Sequence, residues 1–197
     1  MLDNVEVLIH SSIRINKGLV IYFDPYKINK DYNDADIVFI THSHYDHYSE
    51  DDLKKVIKDN TIIVIPSDLE EKVLEFGFDK EHIIVVKPNG EYNIIGINVK
   101  TIPAYNTNKN FHPKDNNWVG YIINLDNTTY YIAGDTDKTP ENKQVKCDVA
   151  FVPIGGTYTM NTFEAAELVN EIKPKIVVPI HYGLIVGTKE DVINFKN

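Results

Sequence analysis

The positions of apolar residues along the chain predict a sheet-rich α/β protein. Short runs enriched in Val, Ile, Tyr and Phe, and bounded by Gly, Pro, Asn and Asp, are typical of β-strands. Such runs predict strands over most of the chain. They cover residues 5–10, 12–16, 19–24, 36–40, 61–65, 83–86, 92–95, 98–102, 119–125, 128–133, 148–152 and 176–180.

Helices are predicted where apolar residues recur at helical spacing behind a capping residue. Ser49 is an N-cap candidate with Asp52 three positions further on, and Asn161 is followed in the same way by Glu164. The predicted helices begin after Ser49, near Pro66, after Asn161 and at Thr188. Because they fall in two groups, one in each half, the order predicts two mixed β-sheets packed face to face with helices outside. This is a four-layer αββα sandwich of the α/β class.

The composition is that of a globular protein with its own core. The chain has 197 residues, 43% of them hydrophobic, so it can bury a substantial core as a single domain over residues 1–197. Its one cysteine, Cys147, cannot form an intramolecular disulfide, which fits a reducing compartment. The first residues lack the basic segment of a signal peptide, and no apolar run approaches the ~20 residues that span a bilayer. We therefore expect a cytoplasmic protein without a membrane span.

The charge balance bears on the class of partner. The formal net charge is −9, whereas nucleic-acid binding normally depends on a surface rich in Lys and Arg. A small-molecule substrate is therefore expected rather than a nucleic acid. Formation of a homo-oligomer is left open by the sequence.

The clearest candidate for chemistry follows the apolar run 37–40. It reads Thr41-His42-Ser43-His44-Tyr45-Asp46-His47, with three imidazoles and one carboxylate within six consecutive positions. Imidazole and carboxylate together are ligands of transition-metal sites. In an extended segment His42 and His44 point to the same side, whereas the adjacent Asp46 and His47 must diverge. The segment therefore predicts a site for two metals, or for one metal and a water.

Polar residues also follow later strands. Asn106, Asp135 and His181 each come shortly after a predicted strand. Ligands of open α/β sheets bind beyond the carboxyl ends of strands. If these strand ends share one edge, their side chains converge with the histidine segment. His10, which ends the first predicted strand, is expected to be a packed or capping histidine, with a place at the same edge as the alternative.

This constellation resembles the metallo-β-lactamase fold superfamily of metal-dependent hydrolases. The matching features, in chain order, are Phe23-Asp24-Pro25, the segment 42–47, Gly134-Asp135 and His181. Segments 132–137, 153–156 and 179–183 further resemble the branch that includes small lactonase-like hydrolases and N-acyl-phosphatidylethanolamine-type phosphodiesterases. The resemblance runs from Asp24 to Gly183 and implies the metallo-β-lactamase fold.

The resemblance also implies a ligand set. The ligands of the first metal would be His42, His44 and a third histidine. The ligands of the second would be Asp46, His47 and His181, and Asp135 would bridge both metals. One or two divalent ions per chain are expected, with zinc as the leading choice and manganese or iron as alternatives.

The chain departs from this pattern at the third histidine. Family members usually have it in a Pro-Ala-x-His stretch, and this chain has Asn106 in Pro103-Ala104-Tyr105-Asn106. An amide oxygen is a harder and weaker ligand than imidazole. The first site is therefore expected to be half-occupied, to prefer a harder metal such as manganese, or to recruit His112 from the long loop 105–117.

The predicted activity is hydrolysis of an ester, lactone, amide or phosphodiester bond of a small substrate by metal-activated water. Asp46 would orient or deprotonate that water as the catalytic residue, and Asp24 would brace the histidine loop. Tyr158 offers a hydroxyl to a substrate carbonyl or phosphate, with a packing role as the alternative. The competing hypothesis is a metal-binding or ligand-sensing protein of the same fold with reduced or lost catalysis, which the departure at Asn106 supports.

Overall fold

The structure, a computed structural model, describes residues 1–196 and contains two compact units, each built on a six-stranded sheet. The N-terminal unit comprises residues 2–86, and the C-terminal unit comprises Met1 and the chain from Lys87 onward. The described residues form four α-helices, two in each unit. Parallel and antiparallel pairs occur in both sheets, so the predicted α/β class with two mixed sheets is confirmed. Among residues 1–196, no helix has the length and apolar character needed to cross a lipid bilayer.

The sheet of the N-terminal unit follows the order of the chain. Its adjacent strands are β1 (Val5–Ile9), β2 (Ser12–Lys17), β3 (Leu19–Phe23), β4 (Ile37–Phe39), β5 (Ile62–Pro66) and β6 (Ile83–Val86). Tight turns join the first three strands, which are therefore antiparallel, whereas longer crossovers make β3 to β6 parallel. Each predicted strand of this half is confirmed to within one residue at either end.

Two short helices belong to this unit, α1 (Glu50–Val56) and α2 (Glu70–Phe76). The side chain of Ser49 accepts a hydrogen bond from the backbone N–H of Asp52, which confirms the predicted N-cap. A short 3₁₀ turn separates α2 from β5, so this helix begins later than predicted. Helix α2 ends at Gly77, whose φ of 115° lies in the left-handed region that favours glycine. Buried residues of both helices share one apolar cluster with residues of β4 and β5, which fixes the helices against the sheet.

The sheet of the C-terminal unit has its last strand at one edge. Its strands are β7 (Glu91–Ile94), β8 (Ile97–Pro103), β9 (Val119–Leu125), β10 (Thr128–Ile132), β11 (Val149–Pro153) and β12 (Ile176–Ile180), in the spatial order β12-β11-β10-β9-β8-β7. Strands β7 to β10 are antiparallel neighbours, and β10, β11 and β12 are parallel. The β9–β10 turn uses Asp126 and Asn127 at φ 50° and 57°, a conformation that these residue types tolerate.

The helices of this unit are α3 (Thr162–Ile172) and α4 (Glu190–Lys196). Helix α3 begins with the predicted capping box. The Asn161 side chain accepts from the backbone N–H of Glu164, and the Glu164 side chain accepts from the backbone N–H of Asn161. The buried face of α3 packs with residues of β10 and β11 in one apolar cluster. Helix α4 begins at Glu190 rather than at Thr188.

In each unit, the candidate ligands lie just beyond the carboxyl ends of parallel strands. In the N-terminal unit Asp24 follows β3 and the segment 41–47 follows β4; the backbone N–H of Asp24 donates to the carbonyl of Phe39 at 3.0 Å. In the C-terminal unit Asp135 follows β10 and His181 follows β12, with β11 between those strands. This is the edge at which open α/β sheets bind ligands.

Candidate metal centre

The segment after β4 folds into a tight loop that brings its polar side chains together. The backbone N–H groups of His47 and Tyr48 both donate to the carbonyl of His44, at 3.0 and 2.8 Å. Nε2 of His42 and Nδ1 of His44 lie 3.0 Å apart, and Nε2 of His47 lies 3.5 Å from Oδ2 of Asp46. His44 is partly exposed and the other three candidate ligands are buried. The four side chains therefore form one group within the N-terminal unit.

Asp24 braces this loop from the end of the neighbouring strand, as the sequence predicts. Its carboxylate accepts hydrogen bonds from the backbone N–H of Thr41 at 2.8 Å, the Thr41 hydroxyl at 2.7 Å and Nδ1 of His47 at 2.7 Å. Asp24 is buried and has a φ of 44°, a left-handed conformation that Asp tolerates better than most residues. The direction of the His47 ring is thus set by a residue on the adjacent strand.

These hydrogen bonds decide which ring nitrogens can bind a metal. A carboxylate only accepts, so Nδ1 of His47 carries the proton and the lone pair of the neutral ring lies on Nε2. The Thr41 hydroxyl donates to Asp24, so its oxygen accepts from Nδ1 of His42 at 3.0 Å. Both neutral rings then present Nε2 as the ligand atom. Metal-binding histidines nearly always have such an acceptor for the outer N–H.

His10 adds a further imidazole to this group, a position that the sequence offered only as the alternative to a packed or capping histidine. Its Nε2 lies 3.2 Å from Oδ2 of Asp46, and ligand atoms of His10, Asp46 and His47 all lie within 4.8 Å of one another. His10 is buried, as expected for a packed histidine, and sits in the β1–β2 turn with a φ of 54°. Its contact with Asp46 spans 36 residues, so no local sequence pattern could have indicated it.

The C-terminal unit places a second group of candidate ligands around Asp135. Oδ2 of Asp135 lies 3.0 Å from Nε2 of His181 and 3.3 Å from Nε2 of His112. All three residues are at most 4% exposed. One carboxylate oxygen therefore faces two imidazole nitrogens, an arrangement that suits a carboxylate shared by two metals.

A close backbone contact fixes the position of His181. A Cβ atom on Gly155 would lie 2.3 Å from the carbonyl oxygen of His181 and 2.6 Å from Cγ2 of Val186, so a side chain at position 155 would displace one of them. His181 itself adopts a left-handed φ of 56°. The turn after β12 therefore depends on the absence of a side chain on the neighbouring loop.

The side chain of Asn106 forms hydrogen bonds to residues of neighbouring loops. Its side-chain NH₂ donates to Oδ1 of Asp137 at 3.1 Å and to the carbonyl of Tyr158 at 2.9 Å. Its side-chain oxygen accepts from the backbone N–H of His112 at 3.0 Å and lies 3.2 Å from Nδ1 of the same residue. His112, rather than Asn106, is the residue of this loop that faces Asp135.

Tyr158 lies in the loop between β11 and α3 and is partly exposed. Its ring packs edge-on against Phe111, with centroids 4.7 Å apart and an interplanar angle of 86°. Phe111 immediately precedes His112 and is 48% exposed. Phe111 and Tyr158 therefore form a partly exposed aromatic pair, and Phe111 is adjacent in sequence to the candidate ligand His112.

The ligand atoms in each unit have separations that fit a nitrogen- and oxygen-binding divalent metal. Two ligands held 2.0–2.1 Å from a tetrahedral zinc lie about 3.3 Å apart. The observed separations are 3.0 Å for His42–His44, 3.5 Å for Asp46–His47, 3.3 Å for Asp135–His112 and 3.0 Å for Asp135–His181. Each pair could therefore share an ion after small side-chain shifts.

Cys147 is not equipped for covalent catalysis. Burial, and then the negative charge of Asp148, raise the pKa of its thiol to about 11. The thiolate is the nucleophilic form of cysteine, so this side chain is almost wholly unreactive at neutral pH.

The two six-stranded mixed sheets, with histidine and carboxylate side chains beyond their strand ends, place the protein in the metallo-β-lactamase fold class. The chain belongs to the β-lactamase superfamily domain family, whose model matches residues 4–181. The resemblance drawn from the motifs is thereby confirmed.

Similar proteins are named metal-dependent hydrolases. The UPF0173 metal-dependent hydrolase of Thermococcus kodakarensis is 31% identical, with 98% of this chain and 90% of the relative covered. A crystal structure named for a metal-dependent hydrolase of Parabacteroides distasonis matches with a TM-score of 0.80 and 30% identity, covering 98% of this chain and 88% of that one. A Thermotoga maritima protein, named as a zinc-dependent hydrolase of the metallo-β-lactamase superfamily, has a TM-score of 0.65 at 21% identity, covering 98% and 86%, and supports the fold.

Proposed function

We propose that this chain is a metal-dependent hydrolase that cleaves an ester, lactone, amide or phosphodiester bond of a small substrate. The observation that carries the proposal is the outer acceptor held by candidate imidazoles, Asp24 for His47 and Thr41 for His42. Such partners orient metal-binding histidines and raise their basicity as ligands. Membership of a family whose relatives are named metal-dependent hydrolases supports the same function.

The proposed metal ligands are those that the family resemblance implies. They are His42 and His44 for the first metal, Asp46, His47 and His181 for the second, and Asp135 as the bridge. The separations of ligand atoms within each unit support this assignment. On this proposal residues 1–197 act as a single domain.

A divalent metal held by these residues would lower the pKa of a coordinated water from 15.7 to about 7 and so supply a nucleophile at neutral pH. Asp46 is proposed to orient the attacking water and to accept its proton. Oδ2 of Asp46 lies 3.2 Å from Nε2 of His10, which donates to the carboxylate and is proposed to hold it in position. Tyr158, with Phe111 against its ring, is proposed to contact the substrate.

Zinc is the proposed metal, with manganese or iron as alternatives, because imidazole ligands suit zinc and iron and carboxylate ligands suit manganese. The proposed substrate is a small molecule rather than a nucleic acid. The net charge of −9 supports this choice, since it disfavours a polyanionic partner.

The test measures metal content and turnover on the same samples. The wild type, His47→Ala, His181→Ala and the double variant are equilibrated with zinc or manganese, and bound metal is counted by elemental analysis. We expect bound metal in the wild type, loss of metal in each variant, and turnover of a chromogenic ester, a lactone or bis-nitrophenyl phosphate by the wild type alone.

The matched control is His82→Ala. His82 shares an outlying group with Asp79 and Glu81 whose ligand atoms are close enough to hold an adventitious ion. Full metal content in the folded double variant would contradict the ligand assignment. Bound metal without turnover across the screen would favour the ligand-sensing alternative.

A further inference from the structure

We infer that His112 binds a metal ion together with Asp135 and that Asn106 is the residue that positions it. The inference rests on the proposed function and identifies an imidazole ligand within the C-terminal unit. Asn106 occupies the usual histidine position, but its side chain is committed to four contacts. The imidazole comes from His112, six residues further along the chain. The loop folds back and places His112 beside Asn106.

The partners of Asn106 fix the orientation of its amide. The NH₂ group faces a carboxylate oxygen of Asp137 and the carbonyl of Tyr158, which only accept hydrogen bonds. The amide oxygen faces the backbone N–H of His112, which only donates. A flipped amide would lose all three bonds. Because the oxygen also meets Nδ1 of His112, both of its lone pairs are engaged and it is not available as a metal ligand.

The amide oxygen of Asn106 in turn sets the tautomer of His112. Oδ1 is an acceptor, so Nδ1 of His112, 3.2 Å away, carries the proton. The lone pair of the neutral ring then lies on Nε2. His47 and His42 have the same arrangement, with Nδ1 donating to a fixed acceptor. His112 is therefore prepared for metal binding in the same way as two of the proposed ligands.

Nε2 of His112 is directed at Asp135, the proposed bridging ligand. It lies 3.3 Å from Oδ2 of Asp135, and the same oxygen lies 3.0 Å from Nε2 of His181. Asp135 and His112 could therefore share an ion within the C-terminal unit, with the second imidazole, His181, on the same carboxylate oxygen.

The loop that carries His112 is closed and anchored. The backbone N–H of Asn106 donates to the carbonyl of His112 at 2.8 Å and closes the loop at its base. Buried Asp137 accepts from the backbone N–H of Thr107 at 2.8 Å and from Nζ of Lys109 at 2.5 Å. The ring of His112 also packs against Trp118, with centroids 5.6 Å apart. A histidine held on several sides is a preorganised ligand.

The first measurement needs no variant. Long-range ¹H–¹⁵N spectra of the wild-type protein are recorded during titration with Zn²⁺. We expect the Nε2 resonance of His112 to shift on zinc binding while Nδ1 keeps its proton.

The second measurement counts ions and their affinities by competition with a chelator. We expect His112→Ala to lose one ion or to bind it at least about tenfold more weakly. Asn106→Ala should weaken the binding of the same ion by about 10–100-fold and raise the fraction of the Nε2–H tautomer of His112 in the metal-free protein. His82→Ala is the matched control and should leave both ions unchanged.

The outcomes separate this inference from the proposed function. Zinc binding that leaves Nε2 of His112 unshifted, or a folded His112→Ala variant with both affinities unchanged, would overturn the inference alone. An unchanged tautomer in Asn106→Ala would overturn the positioning role. Failure of the wild type to bind any metal would overturn the proposed function itself, and the inference with it.

Discussion

Nδ1 of His47 donates a 2.7 Å hydrogen bond to Asp24, a residue 23 positions earlier in the chain. The bond joins the end of β3 to the loop after β4, and the same carboxylate also holds the backbone and hydroxyl of Thr41. Two neighbouring parallel strands therefore determine where a candidate ligand points.

We predict that Asp24→Asn lowers metal affinity by about 10–100-fold, because the outer partner of His47 is weakened. Asn tolerates the φ of 44°, but its single acceptor oxygen cannot replace both oxygens of the carboxylate. We also expect a loss of about 1–3 kcal/mol in the free energy of unfolding. Chelator competition and urea unfolding measure the two effects.

Asp36→Asn is the matched control for this change. Asp36 also accepts a backbone hydrogen bond, from Val20 at 2.7 Å, but it is outside both groups of candidate ligands. Its substitution should affect stability alone. An equal loss of metal affinity in the two variants would show that Asp24 acts through general stability rather than through His47.

We predict that His10→Asn lowers kcat by about 10–100-fold at full metal content. Asn tolerates the left-handed φ of 54° but lacks the imidazole Nε2 that donates to Asp46 and holds this carboxylate in position. The measurement is kcat on a substrate that the wild type hydrolyses, with bound metal counted in the same sample. An unchanged kcat would exclude the proposed role of His10 in positioning Asp46.

Gly155→Ala should weaken metal binding through His181. The new Cβ would meet the carbonyl oxygen of His181 at 2.3 Å, so the turn that carries the imidazole must shift. We expect a loss of about 1–3 kcal/mol in stability together with weaker binding of an ion. Urea unfolding and chelator competition measure these effects.

Gly90→Ala is the control for adding a methyl group at a crowded glycine. Its nearest new contact is the side chain of Tyr92, which is partly exposed and able to move. This variant should keep full metal affinity. If Gly155→Ala also kept it, the contact with His181 would be shown not to position the ligand.

Asp52 should give stability a defined dependence on acid pH. Burial raises the pKa of its carboxyl, but hydrogen bonds from Ser49, Lys55 and the backbone N–H groups of Ile28 and Lys27 outweigh burial and leave the pKa below its ordinary value. A carboxyl with a lower pKa in the folded state contributes stability above its unfolded-state pKa. That contribution is lost as the pH falls through the folded-state pKa.

We therefore predict that the wild type loses stability below about pH 4 more steeply than Asp52→Asn does. Urea unfolding at a series of pH values down to about pH 3 gives the two slopes. Asp51→Asn is the control, because its side chain lies on the same helix but is 91% exposed. Its slope should match that of the wild type, and parallel slopes for all three proteins would contradict the prediction.

Local sequence accounts for the strands and for the ligand segment after β4. The predicted strands agree with the observed ones to within one residue at either end, because apolar runs and turn residues act over a few positions. Segment 42–47 could be found because its ligands are neighbours in the chain. Asp135 and His181 could be singled out because each follows a predicted strand, and the family resemblance implied their roles as ligands.

The remaining features depend on contacts between distant positions. His10 meets Asp46 across 36 residues, and Asn106 meets Asp137 across 31. Such contacts follow from strand register and loop closure, which a local pattern does not contain. From the sequence, His112 was one of several alternatives at the departure from the family pattern. The hydrogen bonds between Asn106 and His112 favour His112 as the ligand.

Left-handed backbones occur at His10 and Asp24, which contact candidate ligands, and at the candidate ligand His181, with φ of 54°, 44° and 56°. A left-handed conformation costs roughly 1–2 kcal/mol for a residue other than glycine. An ion that binds only the folded chain raises the free energy of unfolding in proportion to the logarithm of its concentration, and so offsets this strain. We therefore expect the resistance of the protein to proteolysis to increase with the concentration of available metal. Chains made during metal shortage should be degraded first.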